Sequence, residues 1–221
     1  MKSLSCAGAV FAMLACTAAD VPAQTWPAKP VRIVVPFTPG GGLDIQARMF
    51  AKKYYETLGQ TCVVDNRTGA GGLIDAEAVA RAAPDGYTIL FSSASLAVNV
   101  SLYKKLAFDP VKDLDPVSWV SSVPLVLTSA LPNVPTMKSF YPEFVSDNWY
   151  AFFVPAGTPQ EIVTRLNSET LKALKAPDII DYMSHDGADP VGSTPAELAA
   201  HYRSEVVRYA KLIKTANIQP E

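Results

Sequence analysis

Cysteine is almost missing from this 221-residue chain. Of its three cysteines, Cys6 and Cys16 lie in the apolar N-terminal run, so Cys62 alone belongs to the body of the protein. An exported chain with one cysteine holds no internal disulfide. Cys62 sits in a strand-like Thr-Cys-Val-Val and reads as a buried, inert strand hydrophobe. Histidine is nearly as scarce, with only His185 and His201, both late in the chain and read as surface residues. There is no Gly-x-Ser-x-Gly, no His-Glu-x-x-His and no cluster with metal-ligand spacing. The sequence thus offers no catalytic residue, no metal site and no cofactor motif. Positive charge is not in excess either: the formal net charge is −2, which removes the basic footprint expected of a nucleic-acid binder.

The chain has one apolar run, and it is N-terminal. Lys2 precedes Cys6 to Ala19, and Val21-Pro22-Ala23 fits a small-residue cleavage site. Residues 1–23 are expected to be a secretory signal, too short to remain as a membrane anchor. Met13-Leu-Ala-Cys16 offers a lipoprotein reading, with a lipid on Cys16, as the alternative.

The rest of the chain is punctuated. Val31 to Val35 reads as a buried strand ended by Pro36. Leu43, Ala47, Phe50, Tyr54 and Leu58 follow at helical spacing, with Asp44 in the first turn and Gly59 as the stop. Cys62 to Val64 is a second strand. Ile74, Ala78 and Ala82 mark one face of a second helix, and Tyr87 to Phe91 is a third strand after the turn Pro84-Asp85-Gly86. Strand and helix alternate at short spacing, which predicts α/β architecture with a parallel sheet and right-handed crossovers. Near the end, Thr158-Pro-Gln-Glu161 and Thr194-Pro-Ala-Glu197 read as capping boxes, and Pro177 opens a short helix between them. Between Pro110 and Pro142 stand six prolines in 33 residues. Val117 to Val120 and Leu125 to Leu127 are possible strands there, and the remainder reads as connection.

Two glycine-rich loops separate strands from helix starts: Thr38 to Asp44 and Asn66 to Gly72. In an open parallel sheet, ligands bind outside the carboxyl ends of the strands. A helix N-terminus there presents unpaired N–H groups and roughly half a positive charge. Glycine lets a ligand touch that backbone. The two loops therefore suit a small anion such as a carboxylate. The other reading is that the glycines only make tight turns. Asp44 is a ligand contact or a helix cap. Ser92, Ser93 and Ser95 contact a ligand or cap the next turn. Arg67 pairs with a ligand or with Asp65. A nucleotide fits poorly, because Ile74 stands where a dinucleotide fingerprint needs glycine and no Gly-Lys-Ser/Thr exists.

Several blocks in order resemble the solute receptors of tripartite tricarboxylate transporters, the Bug-type periplasmic binding proteins. They are WPAKPVRIVVPFTPGGGLD (Trp26 to Asp44), Leu58-Gly-Gln, VDNRTGAGG (Val64 to Gly72), APDGYT (Ala83 to Thr88), SLYKK (Ser101 to Lys105) and LPNVPT (Leu131 to Thr136). PAGTP (Pro155 to Pro159), Pro190-Val-Gly and the run to Pro220 complete the match. The resemblance implies a type II periplasmic-binding-protein fold, with a carboxylate held by the loop after the first strand. Carried over by position, that site is Phe37, Thr38, Pro39, Gly40, Gly41, Gly42 and Asp44, with Asn66, Arg67, Gly69, Gly71 and Ser93 beside it. The implied partners are a small carboxylate and the membrane permease subunits. The resemblance also implies that a second lobe is largely missing, since on the order of 100 residues, a domain's worth, are absent near Thr128 to Ala130. The organisation expected is a signal peptide over 1–23, the first part of the ligand-binding lobe over 24–128, a fused connector over 129–148 and a return to the first lobe over 149–221. A shortened, weak receptor is the reading that follows. The alternative is an exported interaction protein that oligomerises or binds a partner through the uncovered face.

Overall fold

The computed structural model describes residues 25–124 and 147–219. The expected signal over 1–23, Cys16, the strand Leu125 to Leu127, most of the expected connector and the LPNVPT block lie outside the described residues.

Six strands form one sheet in the order β2-β1-β3-β5-β4-β6. The first three are β1 (Val31–Val35), β2 (Cys62–Asn66) and β3 (Thr88–Ser93). They are parallel, as the strand–helix alternation predicts. Helices α1 (Gly42–Leu58) and α2 (Leu73–Ala80) make the crossovers. The sheet turns antiparallel where β4 (Leu114–Pro124) and β5 (Asp147–Pro155) join, and the two-residue β6 (Asp189–Pro190) ends it. Four more helices cover the faces: α3 (Ser95–Leu102), α4 (Gln160–Ala173), α5 (Pro177–His185) and α6 (Pro195–Thr215). Among the described residues no helix is long and apolar enough to cross a membrane.

Strand alternation builds a core on each face of the sheet. Ile33, Val35, Phe91 and Phe152 point to one side and pack with Phe50 and Tyr54 of α1 and Leu166 of α4. Val34, Leu90, Trp149 and Phe153 point to the other and pack with Val79 of α2 and Leu198 and Tyr202 of α6. Each such fully buried side chain contributes roughly 1.5–3 kcal/mol. The Phe91 and Phe152 rings stack with centroids 4.3 Å apart, across the β3–β5 seam.

Several sequence expectations need correction. The expected strand Val117 to Val120 is there, but it extends at both ends, through residues read as connection, into β4, an eleven-residue strand inside the sheet. Its register slips between Pro116 and Ser118, so the proline sits at an irregularity where a missing N–H does no harm. The run from Asp147 to Pro155, whose first two residues fall in the expected connector and to which no element was assigned, is the strand β5. Helix α2 buries Leu73, Ala76 and Val79, not the expected face, and Ile74 is largely exposed. The first expected capping box does not form: Thr158 Oγ1 donates to Pro155 O at 2.7 Å, and Pro159 stands at the N-cap with no side-chain bond. The second does form, with Glu197 N–H donating to Thr194 Oγ1 at 3.2 Å and Thr194 N–H donating to Glu197 Oε2 at 2.8 Å. His201 is half-buried rather than a free surface residue. Its ring stacks on Trp119 with centroids 3.8 Å apart, and burial holds its pKa below the usual imidazole range. His185 is exposed, as expected.

Candidate functional site

Strand order places the site. The chain leaves β1 for β2 on one side and then crosses back to β3 on the other, so the loops after β1 and β3 diverge above a shared crevice. Helix α1 starts in that crevice. Its N-cap is Gly41, which has no side chain to cap it. The first intrahelical bond runs from Ile45 N–H to Gly41 O at 3.0 Å. The N–H groups of Gly42, Leu43 and Asp44 therefore precede the helix ladder.

Above those groups lies a cavity of about 220 Å³. Phe37, Thr38, Gly41, Gly42 and Leu43 line it from the β1–α1 segment. Ser93 closes it from the end of β3, and Asn148 and Tyr150 from β5. None of these side chains is charged. A methyl group on Gly41 would approach only Thr38 O, at 3.8 Å. One on Gly42 would point toward Tyr150 Oη and Asp186 Oδ2, each 3.5 Å away. Gly40 has φ +87°, which suits glycine, and nothing stands within 4 Å of where its Cβ would be. The first loop therefore bares backbone around an open space.

Asp44 does not face that space. It is 2% exposed. Its Oδ2 accepts the Gly40 N–H at 2.8 Å and Arg48 Nε–H at 3.0 Å. Arg48 Nη2 lies 3.0 Å from Oδ1 as a charge contact outside hydrogen-bonding geometry, and donates to Asn66 Oδ1 at 3.0 Å. Asn66 Nδ2 in turn donates to Phe37 O at 3.0 Å. Burial alone would raise the Asp44 carboxyl, but the hydrogen bonds from Arg48, Gly40 and Asn66 outweigh it and hold it below the usual carboxylate range. Asp44 and Asn66 thus brace the glycine loop from behind.

The second glycine loop does different work. Gly71 O accepts from Asn99 Nδ2 at 3.0 Å. A methyl group on Gly72 would collide with Pro36 Cβ at 2.9 Å, and one on Gly69 with Ile74 Cδ1 at 2.6 Å. These glycines permit close packing, and none of them lines the cavity. Arg67 is exposed and pairs with Asp65, Nε to Oδ2 at 3.0 Å. Ser93 Oγ lies 3.0 Å from Ser95 Oγ and at the cavity wall.

Of the twelve expected site residues, the structure gathers Phe37, Thr38, Gly41, Gly42 and Ser93 around the cavity, with Pro39 and Gly40 in the loop that bounds it. Asp44 and Asn66 stand behind the loop, while Arg67, Gly69 and Gly71 stand apart. Sequence reasoning missed Asn148 and Tyr150, because the strand carrying them was passed over. The signal was there, in the unbroken run Trp149-Tyr-Ala-Phe-Phe-Val154.

The chain has the fold of the periplasmic solute-binding receptors. It superposes on the periplasmic binding protein BugD with a TM-score of 0.81 at 25% identity, over 89% of this chain and 100% of that one. A second structure, Rpa4515 of R. palustris, matches equally well in fold, with a TM-score of 0.81 at 24% identity over 89% of this chain and 100% of that one. The chain belongs to the tripartite tricarboxylate transporter family receptors, whose family model matches residues 46–130 and 128–218. Protein BugT of Bordetella pertussis is 29% identical over 308 aligned positions, covering 93% of this chain and 94% of that protein. A relative from Bordetella bronchiseptica, described as a UPF0065 protein, is 42% identical over 127 residues, 55% of this chain and 38% of that protein. The family is one of receptors, so this chain is a binding protein and not an enzyme.

Proposed function

We propose that this chain is the solute receptor of a tripartite tricarboxylate transporter and captures a small carboxylic acid on the bared amides of Gly41 and Gly42. The observation that carries this reading is the uncapped N-terminus of α1 opening into a cavity free of charged side chains. Solved relatives support the ligand class: Rpa4515 was solved with adipate, and MatC of Rhodopseudomonas palustris with bound malate. The chain acts in the periplasm after cleavage behind Ala23 and delivers its acid to membrane permease subunits. Phe37, Thr38, Pro39 and Gly40 shape the loop, Asp44 and Asn66 hold it, and Ser93 faces the bound acid.

The receptor is shortened inside. The two family-matched segments meet at 128–130, and the BugT alignment spans 308 positions against 221 residues here. Residues 24–128 and 149–221 then form one lobe, and Asp147 and Asn148 of the expected connector belong to it through β5. One lobe supplies part of the ligand shell, and a cavity of about 220 Å³ is below the range of roughly 300–1,000 Å³ usual for small-molecule sites. Binding is correspondingly weak, about millimolar. Calorimetry of the mature chain with di- and tricarboxylates tests this. Weak one-to-one binding is expected; no binding at any concentration would refute the receptor role, and tight binding by a monomer would refute the impairment.

A second reading has one observation in its favour. Phe37 is 36% exposed at the crevice, where a second lobe would cover it. Oligomerisation through that face would protect it. Sedimentation separates the readings: a stable oligomer that ignores carboxylates favours the second.

A further inference from the structure

Asp186 is the C-cap of α5, and its carboxylate stands beside the glycine cavity. Its Oδ2 is 3.5 Å from where a Cβ on Gly42 would be, level with Tyr150 Oη. Among the described residues no lysine or arginine pairs with it: the salt bridges of α5 and its flanks use Asp178 and Asp181 instead. The cavity lining holds no cation either. Behind the larger effect of burial, the Asp186 charge helps push the Tyr150 and Tyr182 phenols upward, so its field reaches the cavity wall.

Two opposed electrostatic features therefore meet at Gly42. The start of α1 favours one carboxylate. The unpaired Asp186 repels a second negative group close to the first and attracts a positive one. We propose that Asp186 is a specificity-determining residue that selects an acid bearing an ammonium group beside its carboxylate, a zwitterionic α-amino acid, over acids with two adjacent carboxylates. The inference rests on the carboxylate reading of the glycine loop and adds the charge of the ligand's neighbouring group. The α-carboxylate lies on the Gly42 side of the cavity and the ammonium turns toward Asp186, an arrangement that a monoacid of the same size does not satisfy and a short dicarboxylate opposes.

The probes are L-alanine, propionate and malonate: propionate replaces alanine's ammonium by hydrogen, and malonate is propionate with its methyl group replaced by a second carboxylate. NMR titration of the mature chain, following the amide signals of Gly41 and Gly42, reads even millimolar affinities. The wild-type chain is expected to favour L-alanine over propionate by about tenfold, the order of one partly solvated charge pair, and to bind malonate weakest. Asp186→Asn is expected to bring the alanine-to-propionate ratio close to one and to strengthen malonate. Asp186 is exposed, so the variant keeps its fold, which an unchanged thermal midpoint verifies. An unchanged ratio in the variant, or a wild-type preference for malonate, overturns the role of Asp186 while leaving the carboxylate cradle standing. Failure of the wild type to bind any of the three overturns both.

Discussion

Asp44 Oδ2 accepts the Gly40 N–H at 2.8 Å, so the first turn of α1 holds the loop that precedes it. The bond runs backward along the chain, from the third helical residue to the residue before the N-cap. Arg48, one turn further on, clamps the same carboxylate and reaches Asn66 across the sheet edge. The loop that bares its backbone to the cavity is therefore held by groups that never enter the cavity.

Removing that brace has a measurable cost. Asp44→Ala removes the half-buried bond to Gly40 and leaves Arg48 without its ion pair, and is expected to lower stability by about 1–3 kcal/mol in urea unfolding. Asp44→Asn keeps an acceptor for Gly40 and costs less. The sign with pH follows from the lowered carboxyl: its contribution is present above the unfolded value of 3.8 and is lost as pH falls through the lower folded value.

The second glycine loop is predicted to behave oppositely to the first. Gly72 has φ +94°, and a methyl group there would meet Pro36 Cβ at 2.9 Å. Gly72→Ala is expected to lose about 1–3 kcal/mol from conformation alone, with the steric contact adding to it. Gly41→Ala, whose methyl group meets only Thr38 O in ordinary contact at 3.8 Å, is expected within about 0.5 kcal/mol of wild type. Thermal unfolding of the two variants checks the contrast.

Much of this was legible in the sequence. The β1–α1–β2–α2–β3 alternation follows from β-branched runs broken by glycine and proline, and local pattern decides such elements. The loop after β1 was recognisable because strand, glycines and helix start are contiguous. What failed was non-local. Asn148 and Tyr150 reach the cavity only because β5 inserts antiparallel beside β3, a pairing between residues far apart in the chain. The glycines of the second loop looked like those of the first, yet Pro36, Asn99 and Ile74 decide their role through contacts that no spacing encodes. His201 looked like a surface residue because its ring partners, Trp119 stacked on it and Trp149 edge-on, come from β4 and β5.

Asp75 gives a pH signature of its own. Its carboxylate is fully buried in the first turn of α2, neither oxygen has a hydrogen-bond partner among the described residues, and burial raises its pKa from 3.8 to about 6. A raised carboxyl favours the protonated fold, so stability is expected to fall as pH rises from about 4 to 6, by up to about 3 kcal/mol. Asp75→Asn is expected to flatten that window and to stabilise the chain at pH 7. Urea midpoints measured at pH 4.5 and 7 for both proteins check it; a wild-type midpoint that rises across this window, with the variant parallel to it, would contradict the assignment.

The central claim is that a small acid sits on the backbone of Gly41 and Gly42. The most direct measurement is titration of the mature chain and of Gly42→Leu with carboxylic acids, with thermal midpoints recorded alongside. The leucine side chain starts from a Cβ 3.5 Å from both Tyr150 Oη and Asp186 Oδ2, an ordinary contact, and extends into the cavity. The account predicts at least about a tenfold loss of affinity, about 1.4 kcal/mol, with a nearly unchanged midpoint. Equal acid binding by wild type and an intact Gly42→Leu variant would contradict it.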